Sequence, residues 1–382
     1  MPEPLPRLPL EIVNYIVDFL RYDRKTLERC CLLSKSWIPL ARRHLFKEIK
    51  LCVGSDLGAW GKHFPDPARS PAHHARSLDI TVFKMSEDES GWIKWFTRVT
   101  RFTVWVMESE KLSSFHNFSP VLKSLCVPST PGPSSDILAL VCSFPFLEDL
   151  EVSYFHDVNQ DGAAFRPPSS PVFTGTLILG GHLEPITTRM LDLPGGLHFK
   201  EIVWNIHCNK NEEPDIWWMV ELTERCFDTL EHIEINFTPL CKPVTSVPFC
   251  NRFSIWPVFL FAPGVRLQNI QIDLSKAKKL KGVRIRLSRG YATWMARLLE
   301  TITSDNKYLE RIEISLPVSV DESCEWETFG QEQCKGLDNI LVLLWESHAI
   351  RTRFAGYSNR VEWNESLIRV LFPQVSKRLG LV

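Results

Sequence analysis

The sequence predicts an α/β protein in which three short N-terminal helices precede an irregular right-handed solenoid with a parallel β-sheet. Two observations lead to this fold class. Apolar residues recur at helical spacing within residues 1–47, and a short apolar-x-apolar strand pattern recurs nine times between residues 77 and 314. A chain of 382 residues also exceeds one compact core of ordinary size. We therefore expect a helical domain at 1–47 and a repetitive domain at 48–382.

The first 47 residues contain three segments with helical periodicity. Leu8-Pro9 opens the first segment, because proline is tolerated in the first turn of a helix, where its missing N–H costs nothing. A polar break around Tyr22 precedes the second segment, and the third begins after Ser34. The apolar positions of the three segments include Leu8, Ile12, Ile16, Leu20, Leu27, Leu32 and Trp37.

These residues resemble the F-box. Leu8-Pro9-Leu10-Glu11-Ile12 matches the usual Leu-Pro-x-Glu-Ile opening of that family, and Ser34-x-x-Trp37 matches its later Cys/Ser-x-x-Trp helix. The following Arg42-Arg43-His44-Leu45-Phe46 looks like the arginine–leucine–phenylalanine ending of the fungal, basidiomycete-like type of F-box protein. The resemblance covers about an eighth of the chain.

The resemblance implies a docking role. F-box helices bind a Skp-type adaptor and, through it, the cullin and RING subunits of an SCF-type ubiquitin ligase. By the same resemblance, the adaptor-binding residues are Leu8, Pro9, Ile12, Ile16, Leu20, Leu27, Leu32 and Trp37. The alternative for each residue is that it fills the core of the bundle itself, since apolar periodicity mostly reports a core.

The rest of the chain contains a degenerate repeat. The first six strand positions are spaced 23 to 27 residues apart, within the range of leucine-rich repeats, and the later intervals lengthen to between 31 and 42. The strand positions are Leu78, Phe102, Leu125, Leu150, Leu177, Ile202, Ile233, Ile270 and Ile312. Helices are expected at 136–143, 216–227 and 291–304, with helices at 337–345 and 362–371 as a cap. This looks like an irregular leucine-rich-repeat region that lacks most of its asparagines.

Alternation along each strand separates a core face from an outer face. Trp204 falls on an inward position, so we expect it in the core. The outward positions form the predicted target-binding surface, and they are Asp79, Thr103, Glu151, Glu234, Gln271 and Glu313. Several of these residues are acidic, which suggests a target with a basic patch.

A basic stretch at 276–289 contains no acid. Its lysines are expected in a loop and its arginines on a strand at 283–287, where Arg284 and Arg286 share one face and become further target-binding candidates. Such a stretch could bind an acidic target or RNA. The alternative is a solvated edge strand that its charges protect from aggregation.

Several function classes find no support in the sequence. No signal peptide or membrane-spanning run is recognisable, and the eleven cysteines form no Cys-x-x-Cys pair, so we expect a cytoplasmic or nuclear protein with reduced thiols. The net charge of −1 gives no general attraction to nucleic acid or to anionic membranes. No catalytic, cofactor-binding or metal-binding motif occurs, so we expect a non-enzymatic protein without a cofactor.

The predicted function is substrate recognition within a ubiquitin ligase. The N-terminal helices would hold the adaptor, and the outer strand face would hold an unknown target protein. Two alternatives remain open. One is a repeat scaffold without a ligase role, whose N-terminal helices cap the solenoid, and the other is a nucleic-acid binder that uses the 276–289 stretch.

Overall fold

The structure, a computed structural model, describes most of the chain. The described residues are 8–51, 54–82, 91–106, 109–116, 118–128, 133–155, 169–181, 184–208, 217–239, 271–286, 291–316, 323–348, 350–356 and 365–381. They contain eleven β-strands and eleven α-helices. The α/β class predicted from the sequence is confirmed.

The strands lie in one parallel sheet in the order in which they occur along the chain. Their bounds are β1 Glu48–Leu51, β2 Ser77–Val82, β3 Arg101–Val106, β4 Ser124–Val127, β5 Asp149–Phe155, β6 Thr176–Gly181, β7 Glu201–Cys208, β8 His232–Pro239, β9 Gly282–Arg286, β10 Arg311–Leu316 and β11 Arg351–Gly356. Parallel neighbours require a crossover for every strand, so this order is consistent with a solenoid-like arrangement.

The helices precede the sheet, occur between its strands or follow its last strand. Their bounds are α1 Leu10–Phe19, α2 Arg24–Leu33, α3 Ile38–Leu45, α4 Gly54–His63, α5 Ser134–Cys142, α6 Glu184–Leu191, α7 Trp217–Arg225, α8 Ala292–Glu300, α9 Ser323–His348, α10 Glu365–Leu371 and α11 Pro373–Arg378. Short 3-10 helices occupy Pro71–His74, Ile93–Trp95, Ser109–Phe115 and Leu274–Lys276. The three helices predicted between strands correspond to α5, α7 and α8.

Eight of the nine predicted strand positions lie in strands. The ninth, Ile270, falls outside the described residues, and the prediction that Gln271 belongs to a strand is wrong. Asp273 accepts hydrogen bonds from the backbone N–H and the hydroxyl of Ser275, which starts a 3-10 turn instead. The strand of this part of the chain is β9, eleven residues after Gln271.

The chain divides into two compact units. The first consists mainly of residues up to Leu150, and the second consists mainly of residues from Val172 onward together with Glu151–Phe155. Helices α1–α3 and strands β1–β4 belong to the first unit, so the domain boundary predicted at residue 47 lies inside it.

Strand register explains the core of each unit. In the first unit Leu78 lies beside Phe102, and Phe102 lies beside Leu125. All three are fully buried or nearly so. In the second unit Trp204 is 1% exposed, and its indole N–H donates to the Thr223 hydroxyl on α7 at 3.2 Å. The prediction that Trp204 faces the core is confirmed.

Helices α1–α3 form a small core of their own. Val13 and Val17 of α1 pack with Leu27 and Cys30 of α2 and with Ala41 of α3, and all five side chains are buried. Asp23 fixes the start of α2, because its carboxylate accepts the backbone N–H of Thr26 at 3.1 Å. Side chains that cover this core without being fully buried are Leu20, Cys31, Trp37, Leu40 and Leu45.

The C-terminal helices cover the end of the second unit. Asp338 of α9 is 1% exposed and accepts the backbone N–H groups of Gln374 and Val375, both at 3.0 Å. Burial raises the pKa of this carboxyl above its ordinary value. Asp338 therefore caps the first turn of α11 from a neighbouring helix. Helices were predicted in both C-terminal segments, and they correspond to α9 and α10.

Candidate functional site

The N-terminal helices expose an unusual share of large apolar side chains. Of the sixteen large hydrophobic side chains exposed among the described residues, eight lie between Leu8 and Leu33. One face of α1 and the segment just before it carries Leu8, Ile12, Tyr15 and Phe19, which follow one another at intervals of four, three and four residues. The other four are Leu10, Tyr22, Leu32 and Leu33. We call these eight residues the exposed apolar surface.

The eight predicted adaptor-binding residues divide between this surface and the core. Leu27 is 1% exposed and Leu32 is 86% exposed, although only five residues separate them on α2. We therefore assign Leu27 to the core of the bundle. The exposed members are Leu8, Pro9, Ile12 and Leu32, and the half-buried members are Ile16, Leu20 and Trp37.

A polar contact between α1 and α3 holds the helices together. The Asp18 carboxylate accepts hydrogen bonds from the His44 ring and the Arg43 guanidinium, both at 2.7 Å. The hydrogen bond from His44, together with the charge of Arg43, holds the pKa of Asp18 below its usual value. These contacts use other positions of the helices. Within the described residues the exposed apolar surface stays open to solvent, with the Arg21 guanidinium 4.7 Å from the centroid of the Tyr22 ring.

The second unit brings three predicted target-binding residues together. Glu234 on β8, Arg284 on β9 and Glu313 on β10 share one register row. The Arg284 Nη1 atom lies 2.6 Å from a Glu234 carboxylate oxygen, and its Nε atom lies 3.2 Å from a Glu313 carboxylate oxygen. The two carboxylates therefore hold the guanidinium between them on the outer face of the sheet.

A polar depression lies directly beside this charged triplet. Gly282 is part of its lining, and the lack of a side chain there lets the His232 ring pack closely, because a Cβ atom at this position would approach the His232 Nδ1 atom to 2.8 Å. The depression has a volume of about 220 Å³. Its polar lining consists of Glu201, His232, Glu234, Arg284, Arg311 and Glu313. A concave polar site of this size can bind one or two side chains of a partner protein.

The remaining predicted target-binding residues are scattered. Asp79 and Thr103 are neighbours in the first unit, where burial raises the pKa of the Asp79 carboxyl. Glu151 lies half-buried on β5 and Arg286 half-buried on β9. Gln271 lies outside the sheet, and its side-chain amide donates to the Arg297 carbonyl at 3.0 Å.

The described part of the basic stretch, residues 276–286, does not form an edge strand. Strand β9 pairs with β8 on one side and β10 on the other, so the prediction of a solvated edge is wrong. Nearby acids also neutralise much of its charge. Lys281 lies 2.5 Å from Glu231, and Lys276 lies 3.6 Å from Asp273. This pairing weakens the case for a nucleic-acid interface here, because phosphates would compete with internal carboxylates.

Replacement of Arg284 by methionine is expected to lower the free energy of unfolding by about 1–2 kcal/mol. The change leaves Glu234 and Glu313, whose side chains are only 16% and 13% exposed, without their shared cation. Urea unfolding measures the loss. Arg353→Met is the matched control, since Arg353 occupies the same register row but is exposed. Equal losses in both variants would contradict the role of the triplet.

The first unit contains a basic groove that sequence analysis missed. It has a volume of about 730 Å³. Its charged and polar lining consists of Arg21, Tyr22, Arg24, Arg43, His44, Lys47, Glu48, Lys50, His73, His74, Arg76 and Arg98. These residues are dispersed over four-fifths of the first hundred positions, so no local charge run could reveal them. We call this site the basic groove.

Burial and the positive charge of the groove lower the pKa of His74. Burial, with the charges of His73, Arg42, Arg98 and Arg43, lowers the pKa of His74 to about 4. Above pH 6.5 the ring is neutral in both folded and unfolded chains. As the pH falls toward 4, the unfolded chain binds a proton that the folded chain does not, so stability decreases.

The pH dependence gives a measurable expectation. Between about pH 6.5 and pH 4, and with the full shift reduced for solvent screening of this half-buried ring, His74 should account for a loss on the order of 2 kcal/mol of unfolding free energy, which His74→Gln abolishes. Urea unfolding at a series of pH values measures the difference. His198→Gln, at an exposed position, serves as the control. A wild type and a His74→Gln variant with parallel pH profiles would contradict the electrostatic account of the groove.

Among the described residues, no helix is both long enough and apolar enough to cross a membrane. In the same part of the chain, no group of three or more histidine, cysteine, aspartate or glutamate side chains could hold a metal ion. Neither the known protein-family models nor the curated proteins contain a match to this chain.

Proposed function

We propose that this chain is the substrate-recognition subunit of a cullin–RING ubiquitin ligase of the SCF type. In this account helices α1–α3 are an F-box that binds a Skp-type adaptor, and the outer face of an irregular leucine-rich-repeat-like sheet binds a target protein. Ubiquitin transfer would be performed by the other subunits, so the chain needs no catalytic residue of its own.

The exposed apolar surface is the observation that carries the proposal. A soluble domain that leaves Leu8, Ile12, Phe19 and Leu32 uncovered loses the hydrophobic free energy that their burial would provide. Such a surface is typical of a protein-binding site. The helices already possess a closed core, so these side chains are not needed to complete the fold.

The sequence motif adds a specific partner to this surface. Leu8, Pro9 and Ile12 belong to the Leu-Pro-x-Glu-Ile opening, and all three are exposed. The motif residues and the uncovered residues thus coincide at the chain start, as an adaptor-binding helix requires. A helical cap for the sheet, the alternative function, would bury these side chains within the chain.

The charged triplet and the depression at Gly282 support target recognition by the sheet. Side chains held by two neighbours are preorganised, which reduces the entropy that binding must remove. Arg311 and Arg353 flank the triplet and are exposed, so they are available to a partner. Acidic side chains of a target would complement them, while basic side chains would complement Glu201 in the depression.

Affinity purification of the full chain, followed by mass spectrometry, tests both the adaptor-binding helices and the target-binding sheet. Wild type should retain the adaptor, cullin and RING subunits together with a target. The Leu8→Ala/Pro9→Ala variant should lose the three ligase subunits but retain the target. The Arg311→Ala/Arg353→Ala variant should lose the target but retain the three ligase subunits. A wild type that never retains the adaptor, or two variants that lose the same partners, would refute the proposal.

A further inference from the structure

The basic groove holds more positive charge than its acids neutralise. Arg24 pairs with Glu28 at 3.1 Å, and Arg43 pairs with Asp18 at 2.7 Å. The remaining groove cations have no carboxylate within ion-pair distance in the part of the chain that the structure describes. They are Arg21, Lys47, Lys50, Arg76 and Arg98. The single acid in the lining is Glu48.

These unpaired cations come from separate elements. Arg21 lies between α1 and α2, and Lys50 lies on β1. Arg76 immediately precedes β2, Arg98 lies shortly before β3, and the Arg76 guanidinium donates to the Arg98 carbonyl at 3.2 Å. Strand β1 and the segments that connect the elements of the first unit therefore bring these cations to one concave volume. Like charges gathered in this way repel one another unless an anion is present.

Two histidines add to the polarity of the groove. The rings of His73 and His74 lie side by side with centroids 3.9 Å apart. Burial of the ring, together with the positive charge around it, lowers the pKa of His74. An anion in the groove would raise the pKa of His74 and so favour protonation of its ring. Anion binding should therefore strengthen as the pH falls.

We propose that the basic groove binds a compact ligand that carries several phosphate groups. Arginine forks match phosphate oxygens in pairs, and lysines add point charges that tolerate several geometries. The volume of about 730 Å³ lies within the usual range for small-molecule sites.

The ligand would connect the helical module to the first strands of the sheet. One multivalent anion can contact Arg21 beside the helices and Lys50 on β1 at the same time. It would thereby stabilise the first unit and fix the exposed apolar surface relative to β1. The groove shares Tyr22 with that surface, but its cations lie outside it, so separate variants can remove phosphate binding and adaptor binding.

Calorimetric titration of the full chain with inorganic tripolyphosphate tests the proposal. We expect saturable binding that weakens about tenfold or more between about 50 and 200 mM salt. Lys47→Gln/Lys50→Gln/Arg98→Gln should weaken binding about tenfold, because these exposed side chains make no other ion pairs among the described residues. The charge-matched control Lys278→Gln/Lys279→Gln/Lys307→Gln, at exposed positions outside the groove, should bind like wild type.

Any of the following results would overturn the proposal. One is no saturable binding below about 1 mM ligand at low salt. Another is an equal loss in the groove variant and its control. The third is tighter binding of a phosphopeptide or single-stranded RNA that displaces tripolyphosphate, which would assign the groove to a macromolecule. If the triple variant unfolds, Lys50→Gln alone should still weaken binding about threefold, and an unchanged affinity would also overturn the proposal.

Discussion

Leu32→Asp is expected to weaken binding to a Skp-type adaptor by about 100-fold while leaving the free energy of unfolding nearly unchanged. Leu32 is 86% exposed in the free chain, so a charge there remains hydrated and costs the fold little. In a complex, the same carboxylate would have to be buried against the apolar surface of a partner. Titration calorimetry with purified adaptor measures the loss, and thermal melting measures the fold.

Tyr308→Asp provides the control for this variant. Tyr308 is 61% exposed and lies in the second unit, remote in sequence from the helical module. The same introduced charge there should leave adaptor affinity unchanged. An adaptor that binds Leu32→Asp as tightly as wild type would exclude Leu32 from the interface.

Leu27→Ala is expected to destabilise the fold, in contrast to Leu32→Asp, which should affect adaptor binding alone. Leu27 is 1% exposed at the centre of the core that α1–α3 share, so the truncation should remove about 3 kcal/mol of unfolding free energy. A bundle this small has little stability in reserve. We therefore expect its amide protons to exchange much faster, as hydrogen-exchange mass spectrometry can show. Adaptor binding should fall as a consequence of the lost structure.

Leu32→Ala is the matched control, because it removes the same atoms from the same helix. Its unfolding free energy should stay within about 0.5 kcal/mol of wild type. Protection of α1–α3 that survives Leu27→Ala unchanged would contradict the division of α2 into a core side and a binding side.

The parallel sheet was accessible from the sequence because each strand repeats one simple signal. Alternation between inward apolar and outward polar residues depends only on local geometry, and it identified strands around Leu78, Phe102 and Ile312. Trp204 was placed in the core by the same rule. Strands β1 and β11 were not predicted. Strand β1, Glu48-Ile49-Lys50-Leu51, was missed because it is short and lies outside the regular interval.

The environment of β9 could not be derived locally. Arg284 appeared in the sequence as part of an unopposed basic run, because its partners Glu234 and Glu313 are distant along the chain. Only the strand order shows that β9 has a neighbour on each side. Charge balance on a sheet face is a property of register, which sequence periodicity does not specify.

The same limitation applied to both candidate surfaces of the first unit. Periodicity predicted apolar positions on α2, but it could not decide that Leu27 packs inward and Leu32 faces solvent. The basic groove combines Arg21 with Arg98, which no window of the sequence contains together. Composition was also uninformative, since a net charge of −1 conceals a locally positive site.

Direct binding between the purified chain and a purified Skp-type adaptor tests the central claim. The account predicts a one-to-one complex in size-exclusion chromatography, with a dissociation constant at or below about 1 µM by calorimetry. It also predicts a negative heat-capacity change, because apolar surface around Ile12 and Leu32 becomes buried. A folded wild-type chain that forms no complex with the adaptor at about 50 µM would contradict the account.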